Sequence, residues 1–82
     1  MNSIKELSYG EKAVGLTFNP SGDGTVQHVK ELYAEIIDIM NEFRNLSHVP
    51  LAQNELGRLA SIAITEAQSA QMWAVKALTW KD

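Results

Sequence analysis

The sequence contains no cysteine among its 82 residues. This absence excludes disulfide bonds, iron–sulfur clusters and cysteine-based zinc sites. A chain of this length buries only roughly 60% of its unfolded surface, and small domains near this limit often need a disulfide, a metal or a partner subunit. We therefore expect the chain to gain stability by self-association. The lack of cysteine also suits a reducing cytoplasm.

A basic excess and a long hydrophobic run are missing as well. The formal net charge is −3 and the seven basic residues are spread along the chain, whereas a duplex nucleic-acid binder normally shows a basic patch. The apolar runs are far too short to span a bilayer, and residues 1–6 show no hydrophobic segment of a signal peptide. We expect a cytoplasmic protein whose partners include no duplex nucleic acid and no membrane. A small anionic ligand is compatible with this charge, because it needs only a few local donors.

Residues with catalytic or metal-binding potential are few. His28 and His48 are the only histidines, and neither belongs to a His-Glu-x-x-His motif, so we expect neither a metal site nor a histidine base. No Ser/His/Asp arrangement or paired-carboxylate motif stands out, and no cofactor is predicted. We therefore expect a protein that is not an enzyme. The acidic residues of the central segment predict a solvated helix face: Glu31, Glu35, Asp38 and Glu42.

Glycine and proline are concentrated in residues 1–24, which hold five of the seven such residues of the chain. Within this arm, the segment Ser3–Leu7 predicts one helical turn, with Ser3 or Asn2 as the N-cap and Glu6 at the capping-box position. The segment from Asn19 to Gly24 is dense in turn formers and argues against a long helix there.

Two long helices are predicted after the arm, at residues 25–46 and 50–80. In the first, apolar residues spaced by three and four predict a heptad-like seam: Val26, Val29, Tyr33, Ile36, Met40 and Phe43. Leu32, Ile37 and Ile39 widen this surface and indicate a second contact, with another subunit. In the second, alanines at the same spacing predict a close approach of two helix axes: Ala60, Ala63, Ala67, Ala70, Ala74 and Ala77.

The expected fold is therefore all-α, with one domain over residues 1–82. A short N-terminal arm precedes two long antiparallel helices that form a helical hairpin. Because two helices alone make a poor core, we expect these hairpins to assemble into a homo-oligomer.

Three aromatic side chains are candidates for contact with a ligand or a partner. Tyr9 lies beside Gly10 in the arm, where its ring could stack on a nucleobase or pack the arm onto the hairpin. Trp73 and Trp80 are seven residues apart and share a helix face, which favours packing in a core or an interface.

Two polar features are candidates for binding phosphate. The turn from Pro20 to Thr25 leads into a helix, whose free N–H groups attract anions, and Lys30 in the second turn could add a charge. Alternatively, Asp23 or Thr25 occupies those N–H groups. Arg58, Ser61, Thr65 and Gln68 form a polar stripe on the second long helix, which could bind phosphate or be an ordinary solvated face.

Two strings together carry a resemblance to a known family. The first runs from Leu7 to Gly22 (LSYGEKAVGLTFNPSG), and the second comprises ITEAQ from Ile64 and MWAVKA from Met72. Together they resemble the phage anti-CBASS nucleotide-sponge family, also described as an Acb/Tad hairpin domain, and in particular the small version from large tailed phages of enterobacteria. The resemblance covers nearly the whole chain.

The resemblance implies a binding protein for cyclic oligonucleotides made by bacterial cGAS-like enzymes. Such proteins hold these second messengers intact, so that the defence effectors of the infected cell are not activated. The implied fold is a short N-terminal helix followed by a long antiparallel pair. The implied assembly is a homohexamer with separate sites for cyclic dinucleotides, such as 3′,3′-cGAMP, and for cyclic trinucleotides, such as cyclic tri-adenylate.

The resemblance also implies roles for individual residues. Tyr9, next to Gly10, would stack on a base of a cyclic dinucleotide, and Lys30 would neutralise a phosphate. Because the arm is longer here than in shorter relatives, Lys12 is an alternative to Lys30. For the trinucleotide site the candidates are Arg58, Ser61 and Thr65, although many relatives carry a second arginine where this chain has Ile64.

Two other functions are compatible with the residues. One is a helical protein-interaction module or inhibitor of a host protein, with Trp73 and Trp80 in the contact surface. The other is an enzyme that degrades the nucleotide signal, which the lack of a metal or acid–base set disfavours.

Overall fold

The computed structural model describes the backbone of residues 6–46 and 50–82, and the side chains of residues 6–45 and 55–82. Three helices follow one another: α1 (Tyr9–Ala13), α2 (Gly24–Leu46) and α3 (Pro50–Leu78). Across the described ranges the only regular elements are these helices, and the all-α prediction is confirmed. Residues 3–5 of the predicted helical turn at Ser3–Leu7 lie outside the described part of the chain, as does His48. Residues 6 and 7 are described and are not helical.

The ends of α1 are set by two local motifs. Ser8 caps the helix: its Oγ accepts a hydrogen bond from the Glu11 N–H, and the Glu11 carboxylate accepts one from the Ser8 N–H, which together form a capping box. At the other end, Leu16 N–H donates to the Glu11 carbonyl and Gly15 N–H to the Lys12 carbonyl. This Schellman pattern needs a left-handed residue, which Gly15 supplies with a φ of 63°.

The long helices α2 and α3 pack antiparallel. Arg44 near the end of α2 reaches Ser61 near the start of α3, whereas Val26 near the start of α2 lies in one pocket with Val75 near the end of α3. The core between the helices contains Val14 of the arm, Ala34, Ile37 and Ile64. This core holds the hairpin and the arm together.

The buried face of α2 differs from the predicted seam. Ile37, placed outside the seam, is fully buried, whereas Ile36 and Phe43 of the seam are about half exposed. On α3, Ile64 and Gln71 lie on the buried face, while Ala70 and Ala77 of the alanine seam are exposed. The arm contributes to this difference, because Val14 packs in the same core as Ile37 of α2 and Ile64 of α3. The residues that face this shared core are therefore not those of the simplest apolar stripe.

The arm is docked on α2 by a close backbone contact and one carboxylate. Asp38 accepts a hydrogen bond from the Ser8 hydroxyl at 2.6 Å and another from the Gly10 N–H at 2.6 Å. The prediction that Asp38 belongs to a solvated face was wrong, because α1 covers it. Gly10 lies directly against the Ala34 carbonyl of α2, where there is no room for a Cβ atom.

The chain forms a thin slab, with principal extents of 49 × 42 × 12 Å. Among the described residues only six apolar side chains are buried: Val14, Val26, Ala34, Ile37, Ala60 and Ile64. One face of α2 carries an exposed apolar stripe of four residues: Leu32, Ile36, Ile39 and Phe43.

Candidate ligand-binding site

Tyr9 opens α1, and its side chain is 46% exposed. The residues on either side of it, Ser8 and Gly10, are both bonded to Asp38. The backbone that carries the ring is therefore fixed on α2 although the ring itself is accessible. An exposed aromatic ring with a fixed position is suited to stacking against another flat ring.

The first cation near Tyr9 belongs to the same short helix. Lys12 follows Tyr9 by three residues, and side chains three apart are neighbours on a helix surface. The Lys12 side chain is exposed. The α1 surface therefore presents an aromatic ring and an ammonium group side by side.

Arg44 of α2 is the second cation near Tyr9, and it was not among the residues singled out from the sequence. Its guanidinium carbon lies 5.4 Å from the centre of the Tyr9 ring, within the range of a cation–π contact. Nε donates to Asn41 Oδ1 at 3.0 Å, and Nη1 donates to Ser61 Oγ at 2.8 Å. Arg44 thus connects the arm, α2 and α3 at one point.

Lys30 has a different environment from the one that the sequence suggested. Its side chain is 5% exposed. Nζ donates to the Gly15 carbonyl at 3.0 Å and also to the Phe18 carbonyl, and it lies 5.6 Å from the centre of the Phe18 ring. In this position Lys30 holds the loop that follows α1. It also lines a pocket of about 220 Å³ formed by this loop and the end of α3.

Tyr9 and Lys30 lie at opposite ends of the contact between the arm and α2. Arg44, beside Tyr9, follows Lys30 by fourteen residues, which correspond to about 21 Å along a helix at 1.5 Å per residue. A ligand stacked on Tyr9 therefore meets Lys12 and Arg44 of the same chain before it meets Lys30.

The turn before α2 satisfies its own polar groups. Asp23 Oδ1 accepts a hydrogen bond from the Thr25 N–H at 2.7 Å, so Asp23 caps the helix. Asn19 Nδ2 donates to the Asp23 carbonyl, and Ser21 Oγ accepts from the Asp23 N–H. The cap therefore occupies an N–H group that the phosphate-binding alternative requires.

Arg58, Ser61 and Thr65 lie together in one shallow cavity on α3. Its volume is about 290 Å³, and Ile62 and Glu66 complete the lining. Ser61 faces this cavity and also accepts the hydrogen bond from Arg44. Gln68, the fourth member of the predicted stripe, has a different contact, because its Nε2 donates to the Ala13 carbonyl of the arm at 3.3 Å.

Arg58 is paired with an acidic residue one turn before it. Arg58 Nη2 lies 2.7 Å from Glu55 Oε2, and Nε donates to Oε1 at 3.1 Å. The hydrogen bonds to Arg58 and its charge lower the pKa of the Glu55 carboxyl, and the same pair raises the pKa of Arg58. Because both side chains are exposed, water and salt screen the pair, and a ligand phosphate can compete with Glu55 for the guanidinium.

The two tryptophans lie on the surface. Trp73 is 68% exposed and Trp80 is 63% exposed. Trp73 lines a small cavity of about 180 Å³ with Met72 and Lys76, and the Lys76 ammonium lies 5.7 Å from the centre of the Trp80 ring. This region of α3 is an apolar surface with basic groups beside it.

Within residues 6–46 and 50–82, no cluster of three or more histidine, aspartate or glutamate side chains could hold a metal ion. None of the helices, as far as they are described, is long and apolar enough to cross a membrane.

Comparison with known proteins gives one match. A family model described as "Acb2/Tad1, hairpin domain" matches residues 11–79. The matched range contains Lys12, Lys30 and the α3 cavity, and it begins just after Tyr9 and Gly10. No curated protein and no solved structure matches the chain.

Proposed function

Because the chain belongs to the Acb2/Tad1 hairpin family, we propose that it binds cyclic oligonucleotide second messengers, cyclic dinucleotides such as 3′,3′-cGAMP among them, and holds them without cleavage. At family level the function is anti-CBASS sequestration of cyclic nucleotides. In the proposed role, the protein removes the signal from the cytoplasm of the infected bacterial cell, so that CBASS effectors are not activated. Such a role needs affinity and abundance, not turnover.

The observation that carries the proposal is the accessible Tyr9 ring on a firmly docked helix. Stacking of a base on an aromatic side chain contributes about 1–3 kcal/mol. Because α1 is held by Asp38 and by the close contact of Gly10 with Ala34, little freedom is lost when a base binds. Preorganisation of this kind increases affinity.

The cation that meets the phosphate of a dinucleotide is proposed to be Lys12. Its exposure and its place one turn after Tyr9 support this choice over Lys30 of the same chain, which is buried under two carbonyl oxygens. Lys30 of a second protomer is the alternative that we propose. There, a phosphate would replace a carbonyl as the acceptor of its proton.

A second site for a cyclic trinucleotide is proposed in the α3 cavity. Arg58 offers a planar fork of donors for phosphate, and Ser61 and Thr65 offer hydroxyl groups beside it. A ligand phosphate has to displace the Glu55 carboxylate from the Arg58 guanidinium. The negative charge of Glu66 at the rim of the cavity favours a binding mode in which the phosphate lies near Arg58.

The working form is proposed to be a homo-oligomer, with the hexamer as the expected size. Four exposed apolar side chains along one face of α2 support this, since they form a continuous stripe: Leu32, Ile36, Ile39 and Phe43. A dimer that covers the stripe would remove it from water, which is the main favourable contribution to association.

A second candidate function is a protein-interaction module that docks through Trp73 and Trp80. The exposure of both rings favours it, because tryptophan is enriched at the centre of protein interfaces. It predicts no nucleotide binding and a stable complex with a host protein.

The two functions are separated by isothermal titration of the purified protein with 3′,3′-cyclic GMP–AMP, and separately with cyclic tri-adenylate. Tyr9→Ala is expected to abolish dinucleotide binding, whereas Tyr9→Phe keeps the ring and most of the affinity. Trp80→Ala is the matched control, because it removes an exposed aromatic ring nineteen residues beyond Ser61, the α3 residue that Arg44 bonds beside Tyr9. Release of the bound nucleotide by heating should return it intact.

Three results would count against the proposal. If the wild-type protein binds neither nucleotide, the protein-interaction candidate is favoured. If the released nucleotide is cleaved, the protein is an enzyme and not a sponge. If Tyr9→Ala and Trp80→Ala bind the dinucleotide equally well, the site is not at Tyr9.

A further inference from the structure

The guanidinium of Arg44 lies at the meeting point of the arm and both long helices. From its contacts we infer that Arg44 binds a phosphate of the ligand whose base stacks on Tyr9. The inference rests on the proposed function and adds a residue to that site.

The positive charge of Arg44 is not neutralised by the groups that hold it. Its acceptors, Asn41 Oδ1 and Ser61 Oγ, are both neutral oxygens. Within the part of the chain whose side chains are described, no carboxylate lies within ion-pair distance of Arg44, in contrast to Arg58 with Glu55. An anion that reaches Arg44 therefore does not have to displace an acidic side chain there.

Counting only partners whose side chains are described, the donors of Arg44 are partly used. A guanidinium carries five N–H donors, and two of the Arg44 nitrogens are engaged, one with each neighbouring oxygen. The remaining N–H groups can bind a phosphate, for which the planar fork is well suited. Since the side chain is fixed from both α2 and α3, it need not be ordered when a ligand arrives.

The position next to Tyr9 matches the chemistry of a cyclic nucleotide. The guanidinium lies on one side of the Tyr9 ring, which leaves the other face for a base. A nucleotide joins an aromatic base and a phosphate through one sugar, so a base on Tyr9 carries its phosphate into the surroundings of the ring. Among the basic residues whose side chains are described, Arg44 and Lys12 are the two that lie there.

The test compares Arg44→Gln, Arg44→Lys and the control Lys81→Gln in titrations with 3′,3′-cyclic GMP–AMP at low and at high ionic strength. Lys81→Gln removes the same charge from an exposed position outside the site. A hydrogen bond to a charged group has a strength that corresponds to roughly a ten- to hundredfold change in affinity. Arg44→Gln should therefore weaken binding by about this factor and make the remaining affinity less sensitive to salt, because salt screens a contact between charges. Arg44→Lys should restore part of the affinity and part of the salt sensitivity.

Each outcome decides the inference. If Arg44→Gln binds the dinucleotide like Lys81→Gln does, Arg44 is not a ligand contact, while the proposed function stands. If Arg44→Gln loses affinity with unchanged salt sensitivity and Arg44→Lys restores nothing, Arg44 only braces α2 against α3 and the inference is wrong. Circular dichroism of each variant controls for folding. If the wild-type protein itself does not bind, the proposed function fails, and the inference fails with it.

Discussion

Replacement of Gly10 by alanine should detach the short helix α1 from α2. A Cβ atom at this position would overlap the Ala34 carbonyl oxygen and stand 2.9 Å from both the Ala34 carbonyl carbon and Asp38 Oδ1. The Ala34 carbonyl belongs to the backbone of α2 and cannot swing aside as a flexible side chain can. The arm has to move, and the two hydrogen bonds of 2.6 Å to Asp38 are then lost or lengthened.

The size of the effect follows from these contacts. A hydrogen bond to a charged group contributes about 1.5–3 kcal/mol, so two of them contribute about 3–6 kcal/mol when fully lost. Alanine regains up to about 1 kcal/mol over glycine through its helix propensity. We expect the free energy of unfolding to fall by about 2–5 kcal/mol, a large part of the ~4–12 kcal/mol expected for a domain of this size.

Urea unfolding followed by circular dichroism measures this loss, at one fixed protein concentration. Gly57→Ala is the matched control, because a Cβ at Gly57 of α3 meets no atom within 4 Å, and the same substitution should there be neutral or slightly stabilising. If Gly10→Ala is as stable as Gly57→Ala, the close contact between α1 and α2 does not exist in solution. Dinucleotide binding should fall together with stability, because the Tyr9 ring loses its fixed position.

Three further predictions concern the loop, the assembly and the pH dependence. Lys30→Met removes the donor to the Gly15 and Phe18 carbonyls and should lower the thermal midpoint, with little effect on dinucleotide affinity if Lys12 and Arg44 serve the site. Ile36→Glu places a charge in the exposed apolar stripe and should shift the protein to smaller species in analytical ultracentrifugation. Glu55→Gln should lose the part of wild-type stability that comes from the lowered pKa of Glu55. Because a lowered pKa stabilises the folded state only while the carboxyl is charged, the difference in thermal midpoint should be present well above pH 4.5 and vanish as the pH falls through that lowered pKa.

Controls and contrary outcomes differ among these three. For the loop, a Lys30→Met variant with the wild-type thermal midpoint would show that the two carbonyl contacts add nothing. For the assembly, Glu31→Gln is the control, because Glu31 is exposed and is neither three nor four residues from any member of the stripe. An unchanged sedimentation profile of Ile36→Glu would place the interface elsewhere. For Glu55, a difference that persists after the pH has fallen below the lowered pKa of its carboxyl would mean that the substitution acts through something other than the ion pair.

The sequence predicted where the long helices lie in the chain better than which face of each helix is buried. Spacings of three and four between apolar residues identified both long helices, because this period is a local property of the chain. The same pattern could not choose between Ile36 and Ile37 as the buried residue of α2, since apolar residues cover more than one stripe of that helix. The choice depends on where the arm docks, which is a long-range property.

The surroundings of Tyr9 were only partly predictable. The sequence analysis missed the capping box of α1, although Ser8 and Glu11 show the same spacing as Ser3 and Glu6, where a capping box was predicted. Asp38, in contrast, looks like any other acidic residue of its helix, and only the docking of α1 distinguishes it. Arg44 was one of seven scattered basic residues, and the residues around it in the sequence do not indicate its contact with Tyr9.

The small thickness of the slab implies that the stability of the protein depends on its concentration. A chain whose smallest principal extent is 12 Å, and which buries six apolar side chains among its described residues, derives little stability from its own interior. If copies cover one another, the folded fraction depends on how much protein is present, since association stabilises the folded form by mass action. At nanomolar concentrations a binding curve would then report dissociation of the subunits together with release of the ligand. Sedimentation at the concentrations used for titration separates the two equilibria.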